Sequence, residues 1–376
     1  MRIFSKMPLF AVISILVVGF SLADILAEEE TFSVSENRYL EKFPVITTST
    51  VISGDFSENY EVYLTDQFLF RERWITMKST SESALLKTEN NDIIYGNEGY
   101  LFSKFYKFDS KILQTNLASV DRFAAAFKAP VAVMILPSKY HPLIDYVPSG
   151  VPLVDQNYYI SEINSYLSAN ADIVNAKDIL TVNSQRYIYY RTDHHWTNYG
   201  AWLAYCQFAN VAGFTPFEYE SKPLISADGF LGTNYTKCHK LYPKADTVEY
   251  YDFSIISLTA DDKEFDTLYD YEKFSSHDMY SAFIHGHNGL TIIESEYSED
   301  KIGSILIIKD SFANSLIPIL TEHYNTIYAI DPRFYNHQMG YGQFVDTDFD
   351  QILIVYSFET ITSQSGVNLI SLDFED

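Results

Sequence analysis

The run Pro130 to Pro137 (PVAVMILP) is unbroken apolar sequence bracketed by turn formers, the pattern of a parallel strand covered on both faces. Two later runs repeat it. Ile305 to Ile308 breaks at Asp310-Ser311 and leads into helical spacing around Ser315 to Tyr324, and Gln351 to Tyr356 is followed by Glu359 just past its end. A shorter strand is predicted at Thr326 to Ile330. Between them, apolar positions at Tyr159, Ile163, Tyr166 and Leu167 recur at helical spacing, Ile173-Val174 reads as a short strand, and Tyr187 to Tyr190 as a strand that leads into a helix beginning near Thr197. Strands alternating with helices predict an α/β fold with a parallel sheet flanked by helices.

The ends of this pattern differ. From Gly54 to Lys87 the spacing of Tyr60, Tyr63, Leu64, Phe68, Phe70, Trp74 and Met77 is helical, with an interruption around Phe70-Arg71. Asp92 to Phe102 places apolar runs on either side of a Gly/Asn turn, a hairpin. Thr215 to Asp300 breaks the rhythm and reads as an insertion packing beside the site. The division this predicts is residues 1–28, a signal peptide or membrane anchor; 29–95, a stalk and helices; and 96–376, an α/β domain with the insertion at about 215–300.

Composition narrows the function. Fifty acidic against 26 basic side chains give a formal charge of −24, which repels phosphate backbones, so no nucleic-acid partner is expected. Arg2 and Lys6 precede the uncharged run Pro8 to Ala23, which is slightly shorter than the roughly 20 residues that span a bilayer. Ser21-Leu22-Ala23 offers a small-x-small cleavage site, so both the secretory-signal and the anchor readings stand. Either puts the rest of the chain outside the cytoplasm, and the bland alternative is a buried helix of a cytoplasmic protein. Two cysteines, Cys206 and Cys238, are too few for a disulfide framework; an oxidising compartment permits them to pair, and a buried thiol at Cys206 fits equally well.

The chemistry gathers in two stretches. Arg191-Thr192-Asp193-His194-His195-Trp196-Thr197 packs a carboxylate, two imidazoles and an indole ahead of a helix, and Lys309-Asp310-Ser311-Phe312 sits where a strand turns into a helix. A serine there stands above the carboxyl end of the sheet, with backbone N–H groups behind it able to receive an anion. Its hydroxyl needs a neighbouring base; His195 can serve, and Asp193 can hold that imidazole's tautomer. Taken singly, Ser311 fits an N-cap and Asp193 or His195 a structural hydrogen bond; their joint presence is what favours chemistry. His194 points the other way along an extended loop, and Trp196 either walls the pocket or packs in the core. A metal centre at Asp193, His194 and His195, or at His285-Gly286-His287, lacks the fixed ligand spacings of zinc sites, so no metal is expected. No cofactor fingerprint occurs, and no cofactor is expected.

On Asp193-His194-His195-Trp196 and Asp310-Ser311, the chain resembles the DHHW family of Gram-positive surface proteins, similar to the alginate O-acetylation proteins AlgJ and AlgX and, more distantly, DltD. Softer matches are Glu36-Asn37-Arg38 with Phe43-Pro44, Gly99 to Phe102, Leu136-Pro137-Ser138-Lys139 and Gly229-Phe230-Leu231-Gly232. The resemblance implies an SGNH-hydrolase-like sheet with a circularly permuted motif order. It also implies Ser311, His195 and Asp193 as a catalytic triad. The reaction it implies is O-acyl, usually O-acetyl, transfer onto an extracellular polysaccharide, with acyl groups delivered by a membrane-bound O-acyltransferase.

The Gly and Asn of an SGNH oxyanion hole have no certain counterparts, and Gly286 and Asn288 are the candidates beside the Ser311 N–H. Trp196 and Asn198 are candidates for substrate binding. A carbohydrate esterase would carry the same triad, a non-catalytic glycan-binding envelope protein would keep the fold without it, and a metal-dependent phosphoesterase would lose activity to a chelator.

Overall fold

The computed structural model describes residues 8–33, 38–336, 340–363 and 366–371, so Met1 to Lys6 and the Glu36-Asn37 pair of the softer matches lie outside the described residues. The chain forms two compact units, Met1–Thr88 with Thr236–Tyr242, and Glu89–Tyr235 with Pro243–Asp376.

The larger unit is built on an eight-stranded sheet. We number its strands β1 (Val131–Leu136), β2 (Asp172–Ile173), β3 (Ile255–Ala260), β4 (Lys263–Phe265), β5 (Leu290–Ser295), β6 (Ile302–Lys309), β7 (Tyr324–Ile330) and β8 (Gln351–Ser357). They lie in the order β4-β3-β5-β7-β6-β8-β1-β2. The five from β7 to β2 are parallel, with Ile307 opposite Leu353 and Ile354 opposite Val133 in register. The remaining three pair antiparallel and extend one edge.

Alternation along the parallel strands explains why they read as continuous apolar runs. Ala132, Met134, Ile305, Ile307, Leu353 and Val355 face one core, which holds Trp196 and Ala201, Ala204, Tyr205 and Phe208 of helix Asn198–Ala212. Val131, Val133, Ile135, Leu306, Ile308, Ile352 and Ile354 face the other, against Leu117, Val120 and Phe123 of helix Ser110–Ala126 and Ile160 and Ile163 of helix Gln156–Leu167. Each position is buried whichever way it points, so no polar alternation remains. The mixed α/β class, a central sheet flanked by helices, is as expected.

The structure departs from the sequence pattern in two places. The segment from Thr215 to Asp300 is not wholly an insertion, because it supplies β3, β4 and β5 to the sheet. The hairpin Leu224–Phe230 with Asp246–Tyr251 forms a separate two-stranded sheet, and the short helices Thr233–Cys238, Lys273–Ser275 and Met279–Ala282 also lie outside the large one. Tyr187 to Tyr190 is not a strand: among the described residues its one ladder contact is an isolated bridge from Tyr189 to Trp196. The run is apolar because Ile188, Tyr189 and Tyr190 are buried, and its hydrogen bonds close a tight loop instead of joining the sheet.

In the smaller unit the predicted helical stretch breaks into Asp55–Asp66 and Arg71–Ala84, with Phe70 between them at φ +61°. Buried Asp66 accepts hydrogen bonds from the Arg38 guanidinium and the Glu41 N–H, fixing the preceding chain to the helix end. The apolar run forms the helix Pro8–Leu26, 19 residues with most side chains exposed. Among the described residues no helix is long and apolar enough to cross a membrane.

Candidate active site

The buried end of β6 delivers Ser311. Asp310 closes the strand: one carboxylate oxygen accepts the Phe312 N–H at 3.0 Å and the other the Ser357 N–H at 2.8 Å, which ties the ends of β6 and β8 together. The chain then turns through a single 3-10 turn, Ser311–Ser315. Two aromatic donors hold that turn. The Trp196 indole N–H reaches the Phe312 carbonyl at 3.0 Å and Ser315 Oγ at 2.8 Å, and the Tyr280 hydroxyl lies 3.2 Å from the Ser311 carbonyl and 3.1 Å from that of Phe312. Beneath it, fully buried Lys309 donates to Asn314 Oδ1 at 2.8 Å, and Asp331, 3.7 Å away, balances its charge.

The second arm is the loop from Tyr190 to Thr197. It is pinched by the Tyr190 N–H on the His195 carbonyl and the Thr197 N–H on the Ile188 carbonyl, and Thr197 caps the following helix. Inside it Asp193 is 2% exposed. Its Oδ1 accepts the His195 backbone N–H at 2.8 Å and lies 2.6 Å from His195 Nδ1; its Oδ2 accepts the Thr233 N–H at 2.8 Å. His195 Nε2 is 2.9 Å from Ser311 Oγ. Hydroxyl, imidazole and carboxylate therefore stand in one line, with contacts inside the hydrogen-bond range.

Electrostatics favour an ionised acid. Burial pushes the Asp193 carboxyl up, but the charges of His194 and His195 and the hydrogen bonds from His195 outweigh it and hold the group well below the usual carboxylate range. Burial raises the Tyr280 phenol, so it stays protonated and donates. Its ring stacks on the His195 imidazole, centroids 3.8 Å apart and planes within 10°.

A further layer fixes the acid loop. Buried Lys139 donates to three carbonyls, those of Tyr190 and Arg191 at 3.1 Å and of Asp193 at 2.6 Å. Asp246, from the hairpin, accepts the N–H groups of Arg191 and Thr192 and the hydroxyls of Thr192 and Tyr187. Sequence reasoning missed Tyr280 and Asp246, and quoted Lys139 and Gly232 only as family-like motifs. A lysine directly after a buried strand and Pro137 was a signal for Lys139; nothing local marked Tyr280 or Asp246.

Trp196 is fully buried and packs beneath the turn, so it faces no substrate, and Asn198 is buried in the first turn of its helix. The Gly286 carbonyl accepts from Asn314 Nδ2 at 3.2 Å, and the Asn288 amide donates to the Ile284 carbonyl. The Gly286 N–H, on the Phe283 carbonyl at 3.1 Å, and the Asn288 amide thus already have carbonyl partners. His194, 30% exposed at its side chain, lines a narrow cleft with Phe312, Ser138, Asn234 and Glu359. Asp193, His194 and His195 offer ligand atoms within 4.8 Å of one another. Both nitrogens of His195 and both oxygens of Asp193 are already engaged as above, so an ion there would have to displace those bonds. His285 and His287 stack separately, on Phe265 and Phe334.

A family model described as DHHW protein matches residues 93–330. The chain belongs to the DHHW family. Among solved structures, a DHHW family protein from Eubacterium siraeum is similar at 21% identity and a TM-score of 0.61, covering 75% of this chain and 95% of that one. PatB1 of Bacillus cereus is similar at 19% identity and a TM-score of 0.59, covering 73% and 98%, and is also known with a sulfonyl adduct. The O-acetyltransferase domain of Pseudomonas putida AlgJ aligns more loosely, at 14% identity and a TM-score of 0.46 over 72% and 92%. No curated protein sequence matches the chain. These likenesses establish the fold, an SGNH-like α/β sheet, as expected from the motifs.

Proposed function

We propose that this DHHW protein is a serine-dependent O-acyltransferase, transferring an acyl group, most simply acetyl, to a hydroxyl of an exported polysaccharide. The observation that carries the reading is the continuous contact from Ser311 Oγ through His195 to Asp193 at 2.9 and 2.6 Å. Ser311 Oγ attacks the donor carbonyl while His195 Nε2 takes its proton, and Asp193 stabilises the imidazolium. The oxyanion receives the Ser311 N–H at the start of the 3-10 turn. As the intermediate collapses, His195 returns the proton to the leaving group and an ester remains on Ser311. A sugar hydroxyl then gives its proton to His195 and attacks that ester; as the second intermediate collapses, the Ser311 Oγ–acyl bond breaks, His195 returns the proton to Ser311 Oγ, and the new sugar ester leaves. A membrane-bound O-acyltransferase is the donor in this scheme, and Pro8–Leu26 acts as export signal or short anchor on the outer face.

The test is turnover of an activated acetyl ester with and without oligosaccharide. We expect the oligosaccharide to raise the rate and gain acetyl groups. Ser311→Ala should abolish turnover with the fold intact, and a sulfonyl fluoride should add one mass label at Ser311. Turnover unchanged by oligosaccharide, with water as sole acceptor, would make the protein an esterase; undiminished turnover by Ser311→Ala would end the serine reading. Activity lost to a chelator would instead point to a metal at Asp193, His194 and His195.

A further inference from the structure

Helix Asn198–Ala212 begins three residues beyond His195, and its first turns carry aromatic side chains that the proposed reaction does not use. Tyr199 and Trp202 lie with ring planes only 22° apart and centroids separated by 5.8 Å. Tyr219 stands across both, at 86° to Tyr199 and 65° to Trp202. The result is an offset stack of two rings with a third edge-on to both, beside an open groove of about 570 Å³. The rings are held in place: the Trp202 indole N–H donates to the Phe217 carbonyl at 3.0 Å, and the Tyr219 hydroxyl to Glu249 at 3.2 Å.

The polar lining selects among ligands. Glu218, Glu220 and Glu249 border the groove against one guanidinium, that of Arg186, which lies 5.7 Å from the Tyr199 ring. Three carboxylates against one cation, on a chain of net charge −24, repel an anionic polymer. They accept hydrogen bonds from neutral hydroxyls and attract an amine, which gains further from an aromatic face. Flat rings offer area to the C–H face of a pyranose, and a few convergent polar groups around an apolar surface are what a small-ligand site requires.

We propose that this groove binds a stretch of glycan made of neutral or amine-bearing sugars, and that uronate and phosphate polymers are excluded from it. The claim that this glycan is also the acyl acceptor rests on the function proposed above; the binding does not.

The experiment uses the full chain carrying Ser311→Ala, with tryptophan fluorescence and calorimetry as readouts and three oligosaccharides of equal length as probes: N-acetylglucosamine, glucosamine and galacturonate oligomers. The first two should bind, the glucosamine oligomer losing affinity as salt is added, and the galacturonate oligomer should not. Trp202→Ala should weaken binding about ten-fold or more, which corresponds to about 1.4 kcal/mol. Because Trp202 also packs on its neighbours, a second variant reverses the charge at two exposed positions: Glu218→Lys with Glu220→Lys should lose the amine preference and admit the uronate oligomer. Equal binding of the uronate oligomer by the unreversed groove, no binding of either amino-sugar oligomer, or affinity unchanged in both variants would overturn the proposal. Wild-type ester turnover without groove binding would sink the groove alone, and binding without turnover would sink the reaction alone.

Discussion

At Gly232 a single methyl group would collide with the acid of the site. A Cβ built there would lie 2.3 Å from Asp193 Cβ and 2.4 Å from its Oδ2. Asp193 cannot yield without losing contacts, because Thr233, His195 and Lys139 grip its side chain and backbone. Gly232→Ala should therefore tilt the His195 imidazole while leaving the fold in place, lowering kcat on an activated ester about 100-fold with little change in KM. Steady-state kinetics beside a far-ultraviolet dichroism spectrum would check this; unchanged kcat would mean that the placement of Asp193 does not limit the reaction. Lys139 illustrates the same economy. Without its ammonium the inward-turned carbonyls of Tyr190 and Asp193 would lose their donor, while that of Arg191 keeps the Leu101 N–H at 2.8 Å.

The elements matter through what they hold still. The Ser311–Ser315 turn has only one turn of its own to define it, so its position comes from Trp196, Tyr280 and Lys309 on three different segments. Tyr280 contributes twice, by donating to the turn and by stacking on His195, and the two roles separate by mutation. Tyr280→Phe keeps the ring and should cost about 1–2 kcal/mol of stability with a small change in kcat. Tyr280→Leu removes the stacked ring as well and should depress kcat further. Thermal midpoints and kcat for both variants would show it, and equal kcat in the two would remove the stacking role. Tyr280 comes from the stretch Thr215 to Asp300, where sequence spacing suggested only an insertion. That stretch was illegible because β5 alternates partly buried and buried positions at the antiparallel side of the sheet, a weaker signal than the saturated apolar runs of β1, β6 and β8. The tyrosine run at 187–190 erred the other way: its burial imitates a strand, while its backbone bonds serve the loop.

Over the whole molecule, acid should be the main threat to stability. Burial raises the carboxyl of Asp331, yet the Arg333 hydrogen bond and the charges of Lys309 and Arg333 hold it below its ordinary value; Asp193 is likewise depressed. A carboxylate whose folded value lies below its unfolded one adds stability that is fully present above about pH 4 and is lost as pH falls through the folded value. The thermal midpoint should thus drop steeply below about pH 4. Asp331→Asn should be less stable at neutral pH and show a flatter acid limb; a wild-type midpoint level down to about pH 2 would refute the account. The sequence by itself determined the strands that saturate both faces of the sheet, the strand-to-turn break at Ser311 and the residue types of the site, because those depend on local periodicity and chemical identity. Only the tertiary structure decided that Ser311 and His195 meet across 116 positions, that the Gly286 N–H and the Asn288 amide bond to the Phe283 and Ile284 carbonyls, and that Tyr280, Lys139 and Asp246 hold the arrangement. Such convergence depends on how distant segments pack, and no periodicity along the chain records which buried side chain will face which.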